Sequence, residues 1–153
     1  MTKKRCAYLT MECTDGWTID AELGFVPMEA LGWQVDAVSW RTEAPDWGGY
    51  DAVYIGVPWD YPEDPEHFLS ILTSIDESSA ILVNDLELVH LGVTKNLSSR
   101  PGRKGRGPDG RFLIMELEMI EPSLYLRMDP DAPQRFADAF DSYVAKKAAE
   151  RLQ

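Results

Sequence analysis

"DAVYIGVPW", Asp51 to Trp59, runs from Ala52 to Trp59 without a charged residue. A short apolar run bounded by loop chemistry reads as a strand covered on both faces, the pattern of a parallel sheet. "APDWGGY" before it is a loop. After it, Pro62 and Pro65 introduce a helix whose apolar stripe is Phe68, Leu69, Leu72 and Ile75. "AILVND" (Ala80 to Asp85) reads as another short buried strand, and "LELVHLG" as one or two helical turns.

Upstream, "KRCAYLTM" (Lys4 to Met11) reads as a first strand, followed by turn chemistry in "ECTDGW". Ile19, Leu23, Val26 and Ala30 then recur at helical spacing, with Pro27 predicting a kink or a late start. "GWQVDAVSW" (Gly32 to Trp40) alternates like a strand, and Gly32 fits the stop of the preceding helix.

Downstream, "VTKNLSSRPGRKGRGPDG" (Val93 to Gly110) has no apolar period and reads as a linker. "FLIMELEMI" (Phe112 to Ile120) reads as a strand, followed by the irregular "EPSLYLRMDPDAP". A last amphipathic helix starts near Asp131 or Ala132 and carries Phe136, Phe140, Tyr143 and Val144. This alternation predicts an α/β fold with a mainly parallel open sheet flanked by helices. The expected organisation is an α/β domain over 1–92, a basic linker over 93–110, and a strand and helix over 111–153 that pack on the same domain.

With 153 residues, 44% apolar and 27% charged, the chain suits one globular domain. The net charge of −11 opposes general nucleic-acid binding. Six basic residues and one acid between Lys95 and Arg111 give a local balance of +5, which leaves −16 elsewhere. "MTKKRCAYLT" lacks the apolar region of a signal peptide, and no stretch approaches membrane-spanning length. A cytoplasmic protein with no membrane partner is expected. Cys6 and Cys13 are too few for a disulfide framework and match no zinc spacing, so Cys6 is expected as a buried reduced thiol. His67 and His90 read as packing or surface residues.

In open α/β sheets ligands bind beyond the carboxyl ends of the strands. Those exits carry Glu12, Thr14, Asp15 and Trp17, then Trp40 and Arg41, then Pro58, Trp59, Asp60 and Tyr61, then Asn84 and Asp85. Asp15 and Asp85 also suit helix capping. In "PWDY" two large aromatics flank an acid, which suits ligand contact as well as loop packing. Asp15, Arg41, Trp59, Asp60 and Tyr61 are the candidate substrate contacts. "GRKGRG" lacks the G-x-x-x-x-G-K-[ST] spacing of a phosphate loop. Glu116 and Glu118 project from one face of their strand, where water, linker arginines or a cation would offset their repulsion.

"MELEMIEPSLYL" resembles the C-terminal strand of ATP-grasp ligases, in which an acid-x-acid pair holds magnesium against ATP phosphates. "GVPWDY" and "VNDLELV" resemble the N-terminal pre-ATP-grasp, Rossmann-like domain of a glutathione-synthetase-like or RimK-like subfamily. The resemblance implies Glu116 and Glu118 as magnesium ligands, two hard oxygen donors suited to that ion. It places Trp59, Asp60 and Tyr61 toward the acceptor substrate, a small carboxylate or amine. The family joins a carboxylate to an amine through an acylphosphate, releasing ADP. Its ligases carry a whole nucleotide-binding lobe where this chain has residues 93–110, so Lys95 and Lys104 are the lysines available to ATP phosphates. The resemblance therefore implies a truncated or degenerate ligase whose magnesium is held weakly. ATP would be held only if the linker replaces the lobe. Surface bared by a missing lobe also predicts a homodimer.

Overall fold

The computed structural model describes residues 3–43, 45–84, 86–87, 89–91, 93 and 124–152. Among these residues four parallel strands, β1 (Lys4–Thr10), β2 (Trp33–Ser39), β3 (Ala52–Val57) and β4 (Ile81–Leu82), form one sheet in the order β2-β1-β3-β4. Helices α1 (Phe25–Ala30), α2 (Pro65–Asp76) and α3 (Ala132–Arg151) flank it. The α/β class read from the sequence is the class observed. The expected strand Phe112–Ile120, residues 94–110 of the expected linker, and the residues Lys95, Lys104, Glu116 and Glu118 lie outside the described residues, as does Asp85, whereas Val93, where the expected linker begins, is helical and buried in the core.

One sheet face carries Ala7 and Leu9 of β1 with Val53 and Ile55 of β3, packed against Phe68, Leu72 and Ile75 of α2. The other carries Cys6 and Ala52 against Met28 of α1 and Ala137, Phe140 and Val144 of α3. Burying each of these larger apolar side chains stabilises the fold by about 1.5–3 kcal/mol. The continuous apolar run of β3 is explained by its central place: it is covered from both sides. Pro65 opens α2, and the Asp64 carboxylate accepts the His67 backbone N–H at 3.2 Å.

The helix after β1 does start late. A 3₁₀ turn over Ala21–Gly24 leads into Phe25–Ala30. The expected stripe is displaced, however. Leu23, Val26 and Ala30 are exposed, and Ala21 and Met28 are buried instead. The tighter turn resets the phase, so the inward face cannot be counted from Ile19. Leu31 and Gly32 end the helix, Gly32 at φ +87° with its N–H on the Glu29 carbonyl.

Strand β3 is not regular. Leu9 pairs with Ile55 but Thr10 pairs with Val57, so Gly56 is the extra residue of a bulge. A Cβ at Gly56 would lie 2.1 Å from the Tyr8 ring, which fills the space above this glycine. Only glycine lets the two strands keep that contact.

Candidate functional site

Order β2-β1-β3-β4 reverses direction between β1 and β3, and the crevice beyond their carboxyl ends is the switch point of such a sheet. A small cleft of about 40 Å³ opens there. It is lined by Asp20, Tyr54, Gly56, Trp59, Tyr125 and Arg127, among others. Arg127 donates to Asp20 at 2.7 Å, tying the segment after Leu124 to the loop after β1. Tyr125 stands at φ +48°, uncommon for a residue with a side chain, and is itself exposed.

Behind the cleft floor lie two hydroxyls of β1. The Tyr8 ring abuts Gly56 and is 1% exposed, and its hydroxyl has no hydrogen-bond partner among the described residues. Thr10 Oγ1 is also buried without a partner among them. Tyr8 and Thr10 share a sheet face by alternation. An unsatisfied buried hydroxyl costs about 1–3 kcal/mol, so an acceptor that reached either one would be stabilising. Burial raises the Tyr8 pKa and pushes that of Tyr54 up to about 12. Both phenols therefore stay protonated donors at neutral pH.

The candidates named from sequence separate into groups. Trp59 lines the cleft and packs in a tilted arrangement, ring centres 4.9 Å apart, against Trp17, which is 60% exposed. Asp60 lies to one side, where its carboxylate accepts from Trp40 Nε1 at 2.6 Å and from Arg41 Nε at 2.9 Å. Arg41 also reaches Glu63 at 3.2 Å and lies 4.1 Å from the Trp40 ring centre. The bond to Asp60 raises the Arg41 pKa further. Asp60 and Arg41 thus lock the exits of β2 and β3 together. Tyr61 is buried and stacked on Phe68 at 5.1 Å. Asp15 is exposed in a turn closed by Trp17 N–H on the Thr14 carbonyl, several residues before the first helical turn, so it caps nothing. Cys6 is a buried free thiol with its pKa pushed up to about 12 by burial.

Sequence reasoning did not single out Tyr8, Thr10, Asp20, Tyr54 or Arg127. The Asp20–Arg127 pair spans the chain and has no local signature. The one signal was Gly56 within an apolar strand, since a strand glycine marks a bulge or a close approach.

The family model of the D-cycloserine synthetase DcsG N-terminal domain matches residues 6–84, from β1 through β4. This chain belongs to that family. The crystal structure of D-cycloserine synthetase DcsG superposes with a TM-score of 0.49 at 20% identity, covering 57% of this chain and 29% of that one. The chain thus spans less than a third of that synthetase's length. No curated protein matches.

Proposed function

We propose that this chain is the substrate-side module of an ATP-grasp-type carboxylate–amine ligase in truncated or degenerate form, binding a small acid or amine at the β1/β3 switch point. Membership of a synthetase N-terminal-domain family supports the ligase reading, and the cleft supports its location. Arg127 would meet a carboxylate and Asp20 an ammonium group, with the Tyr8 and Thr10 hydroxyls offering donors behind the floor. The volume accommodates only a few water-sized groups, which suits the charged end of a small substrate.

Two carboxylates and oxygen-rich phosphates suit magnesium, so Glu116 and Glu118 are its proposed ligands, and Lys95 and Lys104 the proposed phosphate contacts. Bound magnesium would supply charge stabilisation for phosphoryl transfer. Placement of ATP also needs cations and a walled pocket, and residues 93–110 replace the lobe that supplies them in ATP-grasp ligases. Catalysis is accordingly weak or absent. The alternative is a non-catalytic α/β binding or dimerisation module.

Titration calorimetry with a panel of small carboxylic and amino acids tests the site. Binding by the native chain that is lost in Arg127→Ala and weakened about fivefold in Tyr8→Phe is expected, one hydrogen bond being worth about 1 kcal/mol. No binding by any member, or binding indifferent to both changes, rejects the site. In parallel, magnesium should bind at millimolar levels and Glu116→Gln with Glu118→Gln should abolish it. Magnesium-dependent ADP release that disappears in this double variant would overturn the degenerate reading.

A further inference from the structure

The switch-point cleft is too small to enclose an amino acid with a side chain. At about 40 Å³ it accepts a charged end and little behind it, so the remainder of a ligand held there lies across the mouth. Aromatic side chains stand at that mouth. Trp59 and Tyr125 line the cleft, and Trp17 packs against Trp59 with ring centres 4.9 Å apart. Trp17 is 60% exposed and Tyr125 59%, although each carries a large ring.

These rings differ from the tryptophans of the core. Trp33 and Trp40 are fully buried, and each sets its Nε1 on a carboxylate, of Asp141 and of Asp60. Tyr125 is instead held outward by its backbone. Its φ of +48° is costly for a residue with a side chain and persists only where the surroundings fix it. Here they do. Leu126 is buried, the Tyr125 carbonyl accepts from Met128 N–H at 2.9 Å, and Arg127 donates to Asp20 at 2.7 Å. Backbone strain spent on presenting a ring to solvent beside a cleft is the pattern of a ligand clamp.

We propose that the ligand of this cleft is an aromatic amino acid, its charged end on Asp20 and Arg127 and its ring across the mouth among Trp17, Trp59 and Tyr125. The inference rests on the switch-point reading above and adds the class of side chain. Charge sets the orientation. Arg127 spends Nη1 on Asp20 Oδ1, which among the described residues leaves Nη2 and Oδ2 for the carboxylate and ammonium of a zwitterion. The rings set the class. Indole and phenol faces are electron-rich and their edges positive, so a flat ring gains offset or edge-to-face contacts here. An aliphatic chain of the same size would gain burial alone.

Titration calorimetry of the native chain with phenylalanine, cyclohexylalanine and alanine tests the class. Phenylalanine should bind about tenfold or more tighter than alanine, and about threefold tighter than cyclohexylalanine, which is as large and apolar but has no π-face. Trp17→Ala should cut the preference for phenylalanine over alanine about threefold or more. Tyr125→Gly, which suits the left-handed backbone, should cut it likewise. Trp33 and Trp40 are fully buried and Trp47 nearly so, so a change in tryptophan emission on adding phenylalanine reports on Trp17 and Trp59. That change should shrink in Trp17→Ala. Alanine binding that needs Arg127 but shows no preference for a ring overturns the aromatic inference and leaves the switch-point reading standing. Cyclohexylalanine binding as tightly as phenylalanine does the same. Binding of none of the three, or phenylalanine binding indifferent to Arg127→Ala, overturns the switch-point reading and this inference with it.

Discussion

Two acid–guanidinium pairs sit at the same edge of the sheet and do different work. Asp60 and Arg41 are close in sequence, and Asp60 has both oxygens engaged, by Trp40 and by Arg41. Asp20 and Arg127 are joined from distant parts of the chain and border an open cleft. The first pair is used up in joining two strand exits. The second leaves most of the guanidinium fork and a neighbouring space for something else. A charged motif that stands out in sequence can be consumed by structure, while groups with unspent hydrogen-bonding capacity lie among residues that read as core. Tyr8 and Thr10, on the strand beside the second pair, carry that unspent capacity.

The sharpest way to break this contrast is at Gly56. The Tyr8 ring that covers it is wedged edge-on against Phe25 at 5.1 Å and lies 5.8 Å from Tyr54. A methyl group in Gly56→Ala therefore meets an aromatic ring with no easy retreat. Overpacking of this kind costs typically 1–3 kcal/mol, and here about 3 kcal/mol or more is expected in urea unfolding. A loss below about 1 kcal/mol would mean that the ring can move and that the cleft floor is soft.

Asp60 tests the closed pair. Asp60→Ala strands Trp40 Nε1, on a fully buried tryptophan, and leaves Arg41 with only Glu63 and backbone. A destabilisation of about 2 kcal/mol follows from the orphaned donor and the lost charged bond. Asp60→Asn keeps an acceptor for Trp40 and should cost about half as much. Neither change should alter binding of a small acid at the cleft. Loss of that binding in Asp60→Asn, with stability kept, would move Asp60 from the structural pair into the site.

The sequence carried the sheet and two of its helices plainly, because β3 and α2 are each decided by one strong local pattern. The run Ala52–Val57 has no polar alternation, and Phe68, Leu72 and Ile75 mark a single helical face. It misled around α1, where a 3₁₀ turn shifts the phase and turns Val26 outward. The place of the cleft, beyond the strand exits at the switch point, was legible as a candidate location. Its chemistry was not. Asp20 meets Arg127 only through tertiary packing, and a tyrosine inside β1 reads as core until its hydroxyl is found without a partner.

The smallest effect concerns a third acid, Asp141 of α3, which ties the helix to the opposite end of the sheet. Its carboxylate accepts from Trp33 Nε1 at 2.9 Å and pairs with Lys4. The Lys4 ammonium is the main cause holding its pKa below the usual range, with the Trp33 bond adding to it. A carboxylate depressed in the folded state stabilises above its unfolded pKa, about 4, and loses that contribution as pH falls through the folded value. The affected window is therefore below about pH 4. Asp36, held down by Gln34 and Arg5, and Asp129, held down by Arg135, shift in the same direction, so acid sensitivity is shared among the three. Asp141 and Lys4 are 33% and 42% exposed, and solvent screening limits their pair to no more than about 1 kcal/mol at neutral pH. Asp141→Asn keeps an acceptor for Trp33 and removes only the charge. Stability at pH 7 should fall by that small amount, and the drop in unfolding midpoint on going below pH 4 should become shallower than in the native chain. An unchanged acid slope would show that Lys4 and Asp141 attract each other no more strongly folded than unfolded, leaving α3 held to this end of the sheet by Phe140, Val144 and the Trp33 hydrogen bond.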